Sequence, residues 1–400
     1  LFSLIFLLLL WQLKILNDER RVARERRSPY FYVHTLHIIF ASKKDNMTIK
    51  SAPSGTCFLE NIRDLDILTS MSRVLVTIKI GDSTVYDEFL YPADGEIQLS
   101  DLADIYRPYA RLQLIVDSVI TITEQKVSTG VETDEVTQSD KKTVNLRVLY
   151  ATVDIPDIDC QEFTDTHFLT LLQSAKTTSL GRLEYLHYLG TDTASVTAYF
   201  TDGTKQLFTA EVVGGNAKYT TIDVSPSKFS VRDKVLSYFD VKAGERLQTF
   251  IIDQDQPDCA PILLFTNSFG CQELIYCTGK HEVAPEYTRD SAVIGGKNIN
   301  YRITEKRIFK ADTGPLTTAM ANWADDLFRS DEVYIVNIYG GEAAVGKQVT
   351  ISDSKSDNDN LLETIPRFTF SYAYSQRQHN VLDMHRAGRI FDNTFDNTFN

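Results

Sequence analysis

The sequence predicts a mainly β protein: tandem antiparallel β-sandwich domains with a few short helices, and one amphipathic helix over 316–329 packed on the last domain. Three observations carry this expectation. The composition favours strands, with 22 Phe and 19 Tyr in 400 residues and Val, Ile and Thr recurring in short runs. Those runs are separated by turn residues at intervals of about 8–12, the spacing of sandwiches rather than of βαβ units. Only one stretch has long helical periodicity: Met320, Trp323, Ala324, Leu327 and Phe328 fall at i, i+3, i+4, i+7 and i+8.

Residues 1–46 stand apart from the rest. The apolar run of residues 1–11 is shorter than the ~20 residues of a spanning helix. The arginines Arg20, Arg21, Arg24, Arg26 and Arg27 follow that run rather than precede it, the wrong order for a cleavable secretory signal. Met47-Thr48-Ile49-Lys50 opens a clean domain sequence. Residues 1–46 are therefore read as a leader translated from a misassigned start, the other reading being a reverse membrane anchor. A membrane partner is expected only if that leader is native.

A first sandwich is expected over 47–155. Residues 74–80 and 84–90 alternate as strands around Gly81-Asp82-Ser83, a hairpin signal. Ser100 or Asp101 caps a short helix that Pro108 is expected to stop. Residues 112–123 and 144–153 read as strands. The polar residues 124–142 between them form a loop or a long hairpin tip. Residues 154–159 are a linker by composition, and a second small sandwich follows over 156–255. Its strands are 183–188, 194–200, 205–213 and 219–224, with Asp202-Gly203 as a tight turn. Residues 253–258 form the next linker.

The third unit, 256–375, is β-rich with the one helix. Strands are expected at 262–265, 273–277, 333–336, 348–351 and 368–372, with a turn at Asn267-Ser268-Phe269-Gly270. Asp312 or Thr313 is the expected helix cap, with Pro315 in the first turn. Ile294-Gly295-Gly296-Lys297 lacks the first glycine and the Ser/Thr of a phosphate loop, and reads as a hairpin turn. Residues 376–400 are an extension in which Phe391, Phe395 and Phe399 repeat every fourth residue. These three rings are the candidate partner-docking site; the alternative reading of the segment is a disordered tail.

Charge and chemistry narrow the function. Residues 47–400 carry 33 basic and 50 acidic side chains, a net −17, which argues against nucleic-acid partners. The cysteines Cys57, Cys160, Cys259, Cys271 and Cys277 are odd in number and lack metal-ligand spacing. They read as mostly buried reduced thiols, suited to assembly in a cytoplasm. Asp353, Asp357 and Asp359 are weak metal candidates without the spacing of a calcium loop, and a solvated turn is the preferred reading. No nucleophile or zinc-hydrolase signature is present, so no catalytic residue and no cofactor is expected.

The residues at 74–111, including Leu102-Ala103-Asp104-Ile105-Tyr106-Arg107-Pro108-Tyr109, are one place where the chain resembles the tail-associated β-rich structural proteins of Bacteroidetes phages and prophages. Residues 264–273, taken with Trp323-Ala324-Asp325-Asp326-Leu327-Phe328 and the residues up to Tyr334, are a second, and the Phe-x-x-x-Phe-x-x-x-Phe ending is the third. The resemblance implies a non-enzymatic virion component of the phage tail or tail tip, an adaptor, baseplate or fibre-attachment protein assembled in the host cytoplasm. Its expected partners are other tail proteins and further copies of itself. The alternative is a secreted or surface-anchored adhesion or carbohydrate-binding module of a gut bacterium.

Overall fold

The computed structural model describes residues 47–128, 135–156, 158–215, 218–339, 342–356 and 365–375. The leader 1–46 and the extension 376–400, with Phe391, Phe395 and Phe399, lie outside the described residues. Among those described, no helix is long and apolar enough to cross a membrane.

The first module contains β1 (Thr48–Ser51), β2 (Gly55–Phe58), β3 (Leu65–Leu68), β4 (Arg73–Ile80), β5 (Ser83–Leu90), β6 (Glu96–Leu99), α1 (Leu102–Gln113), β7 (Ile115–Ser128) and β8 (Glu135–Leu149). A three-stranded sheet, β1-β3-β6, faces a five-stranded sheet, β2-β8-β7-β4-β5. Inward residues of both meet in one core: Leu65, Ile67 and Ile97 from the first, Val74, Val76 and Ile120 from the second. The period-2 alternation of β4 produces this directly, because every other side chain points to the same face. The described residues within 124–142 are paired strands, Gln125–Ser128 against Glu135–Gln138, which fits the long-hairpin reading.

Helix α1 departs from expectation by running through Pro108. A proline in a helix interior costs about 3 kcal/mol. Here Leu102, Tyr106 and Ala110 are buried on one face, and the Tyr106 hydroxyl lies 2.9 Å from the Ser118 hydroxyl. Burying one large side chain contributes about 1.5–3 kcal/mol, so packing on both sides of the proline holds the helix. Asp101 sits at the N-cap position with φ 57° and makes no side-chain cap bond.

The second module holds α2 (Cys160–Thr166), β9 (Lys176–Thr178), β10 (Tyr185–Leu189), β11 (Ala194–Phe200), β12 (Lys205–Thr209), β13 (Glu211–Gly215), β14 (Tyr219–Asp223), β15 (Leu236–Ala243) and β16 (Arg246–Ile252). Its sheets, β10-β14-β13 and β12-β11-β15-β16-β9, close a second sandwich around Tyr188, Val196, Ile222, Phe239 and Phe250. The expected single strand over 205–213 divides at buried Ala210: β12 pairs with β11 and β13 with β14, so the chain crosses between sheets. Residues 154–159 are not a free linker. Ile155 and Ile158 pack into an apolar cluster, and Asp159 caps α2 by accepting from the Gln161 N–H at 2.8 Å.

The third module comprises β17 (Ile262–Thr266), β18 (Gln272–Tyr276), β19 (His281–Ile294), β20 (Lys297–Asp312), α3 (Thr318–Arg329), β21 (Val333–Tyr339), β22 (Glu342–Ser356) and β23 (Phe368–Tyr374). One antiparallel seven-stranded sheet runs β18-β17-β21-β22-β23-β20-β19. Helix α3 covers one face, burying Met320, Trp323, Ala324 and Leu327 against Leu263, Phe265, Ile335 and Phe370. Its cap is Thr317, whose hydroxyl accepts from the Met320 N–H at 3.2 Å, not Asp312 or Thr313. Asp312 instead accepts from the Gly314 N–H, and Thr313 from the Phe368 N–H, bonds that fix the turn before the helix.

The modules are not beads on a string. Phe58 of the first, Phe163 of the second and Phe269 of the third meet ring to ring, with centroids 5.4–6.0 Å apart. Gly270, at φ 76°, lets the Asn267–Gly270 turn press onto Leu114 and Tyr150 of the first module. A Cβ there would lie 2.4 Å from Leu114.

Candidate functional site

Two features stand out: a buried polar seam between the second and third modules, and a projecting ribbon at the edge of the seven-stranded sheet. At the seam, strand β9 presents Lys176, whose ammonium lies 2.7 Å from Glu184 and 4.4 Å from the centroid of the Trp323 ring. Lys176 also donates to the Leu274 carbonyl at 3.3 Å, and the Thr178 hydroxyl donates to Glu184 at 2.8 Å. On the other side, the Trp323 indole N–H donates to Glu273, which also accepts from Asn267 at 2.7 Å. Burial pushes the Glu273 carboxyl up, against the pull of the Lys176 charge and these donors. Asp326, raised by burial as well, accepts from the Ser268 N–H and hydroxyl. Each charge is thus met by a partner, the condition for burying it. The seam joins the second module to the third.

His187 belongs to the same joint. Its Nε2 lies 2.9 Å from the Gln272 carbonyl, which only accepts, so Nε2 carries the proton and Nδ1 accepts from the Thr221 hydroxyl at 2.9 Å. Burial holds its pKa below the ordinary 6.5. A histidine with a depressed folded-state pKa contributes stability that is complete above its unfolded pKa and is lost as pH falls below it. Between pH 7.5 and 5.5 the wild type is therefore expected to lose more thermal stability than His187→Gln. Parallel melts of the two proteins check this, and equal losses would remove His187 from the joint.

The ribbon is the hairpin of β19 and β20, turning at Gly295-Gly296, whose φ values of 59° and 77° suit a tight hairpin. Only residues 309–312 of β20 pair with β23. From the Ala284–Ile308 pair to the tip the two strands stand alone among the described residues, a reach of roughly 35 Å at about 3.3 Å per residue. Stacked Phe309 and Tyr372 rings, 4.9 Å apart, and the 2.9 Å His281–Tyr372 contact hold its root. Farther out, Val293 is 75% exposed, Tyr301 66% and Ile303 58%.

The face opposite the helix carries ordered charge. Glu282, Glu286 and Asp290 on β19 lie across from Lys310, Lys306 and Arg302 on β20. One strand therefore bears an acidic row and its neighbour a basic row. At the root of this face a depression of about 400 Å³ is lined by Lys280, Glu282, Lys310, Asp353 and Lys355.

Of the residues singled out in the sequence, Phe391, Phe395 and Phe399 lie outside the described residues, as do Asp357 and Asp359. Asp353 is exposed within β22, which continues to Ser356, so the solvated turn expected around it does not include it. Among the described residues, no group of three or more His, Cys, Asp or Glu side chains is placed to hold a metal ion. The five cysteines are free thiols, three of them buried. Desolvation raises all five, Cys57 and Cys160 to about 12. A carbohydrate-binding module would use exposed tyrosine and tryptophan rings on one sheet face; Trp323 is enclosed in the core, whereas Tyr91, Tyr287 and Tyr301 are exposed.

No protein-family model and no curated protein sequence matches the chain. Among solved structures, two three-domain fragments of titin, I67–I69 and its E-to-A variant, align over 66% of this chain and 92% of theirs. Both are 8% identical with a TM-score of 0.17, values that carry no argument about kinship or function.

Proposed function

We propose that the chain is a non-enzymatic structural subunit that works by subunit–subunit assembly. The phage tail or tail tip is the setting that the sequence resemblance suggests. The observation that carries the reading is the β19–β20 ribbon. A two-stranded hairpin of this length is marginal alone in water, and exposed strand edges invite pairing with another chain. The polar joint lies at the opposite, β18 edge of the same sheet, where it anchors the third module to the second. Other tail proteins and further copies of the chain are the partners.

The test is particle incorporation by the full chain. Replacing residues 286–306 with Asn-Gly shortens the ribbon to its root without touching the joint. The shortened protein is expected to melt like the wild type yet to be missing from purified particles that contain the wild type. Equal incorporation removes the ribbon from the assembly. Absence of the wild type itself from every particle fraction overturns the structural-subunit reading.

A further inference from the structure

We infer that the ribbon joins copies of this chain head to tail, β19 of one copy lying beside β20 of the next. The inference rests on the assembly reading above and deepens it by naming the partner and the polarity of the contact. Both long edges of the ribbon lack a neighbouring strand among the described residues: β19 over 284–294, and β20 over 297–308. Among the described residues no strand occupies the outer backbone groups of either edge over these spans.

The charge rows decide which edges meet. Glu286 and Asp290 stand on one edge strand, Lys306 and Arg302 on the other, all on one face. Among the described residues none of the four makes an ion pair. A twofold pairing of β19 with β19 sets two acidic rows side by side, and β20 with β20 sets two basic rows together. Like charges across strands destabilise, whereas each opposite pair contributes roughly 0.2–1 kcal/mol. Only β19 against β20 of the next copy alternates acid and base.

That pairing keeps the strands antiparallel, points all ribbons the same way, and brings Glu286 beside Lys306 and Asp290 beside Arg302 of the neighbour. The β23 strand, which already occupies the edge of β20 at 309–312, limits the contact to the free part of the ribbon. Because the two edges differ, the contact is heterologous. It grows into a closed ring or an open filament rather than stopping at a dimer.

Sedimentation velocity on the full chain and two charge-reversed variants tests this. One variant, Glu286→Lys with Asp290→Lys, has two basic rows; the other, Arg302→Glu with Lys306→Glu, has two acidic rows. The wild type is expected to associate beyond two copies, more weakly at high salt. Each variant alone is expected to stay monomeric, with association at least tenfold weaker. Mixed in equal amounts they should restore assembly, since each basic edge then meets an acidic one. Circular dichroism of each variant shows whether it is folded, and restoration on mixing cannot come from misfolded chains.

A wild type that stays monomeric, or stops at dimers, overturns the inference. So does a mixture no more associated than its components. If the wild type enters particles while remaining monomeric in solution, and both variants enter equally, the head-to-tail contact fails but the structural-subunit reading survives.

Discussion

Trp323→Ala is expected to cost about 3–5 kcal/mol of stability, the range for emptying a buried large aromatic site, read as a melting drop on the order of 10 °C. The residue is enclosed by the sheet beneath α3, 5.9 Å from the Phe265 ring. Three losses coincide. A cavity opens in the largest core, Glu273 loses its indole donor, and Lys176 loses the ring beneath it. Trp323→Phe separates them, because it keeps most of the volume but cannot donate. It should recover more than half of the lost stability. If the alanine variant melts within 2 °C of the wild type, the joint does not depend on Trp323.

Glu184→Ala is the second large effect. It leaves the Lys176 ammonium buried with only the Leu274 carbonyl as acceptor and the Trp323 ring beside it. Removing one member of a buried pair typically costs about 3–5 kcal/mol, much of it the uncompensated charge, whereas replacing both with apolar residues costs far less. Chemical denaturation of Glu184→Ala and of the double variant Lys176→Met with Glu184→Leu distinguishes the two terms. The double variant should retain more than half of the stability that the single one loses. A double variant as weak as the single one would mean that packing at this joint, and not charge compensation, sets its strength.

The strand-rich class was legible because hairpins such as β4–β5 have both their alternation and their turn in adjacent residues. The stripe of Met320, Trp323, Ala324 and Leu327 likewise needs only local spacing, and its burial follows. The ribbon was half legible. Gly295-Gly296 marks its turn, but Glu282 to Asp290 and Arg302 to Lys310 carry polar or exposed groups on both faces, so no core-facing alternation announces strands of 14 and 16 residues. The run of α1 through Pro108 was hidden because its support comes from Ser118 and the core behind it. The joint was hidden for the same reason. Lys176, Glu184 and Glu273 look like ordinary surface charges until three separate stretches are brought together. A glutamate opening an otherwise apolar strand, Glu273-Leu274-Ile275-Tyr276, is the one local signal that could have drawn the eye.

The meeting of Phe58, Phe163 and Phe269 bears on how the protein comes apart. Polar stretches near 155 and 255 suggest places to divide the chain. Cutting there would strip each piece of the rings that cover its own, leaving an oily wound on every fragment. Each module keeps a core of its own, and this shared cluster ties the three together. What composition marks as a border near 155 is therefore a packed contact rather than a bare tether.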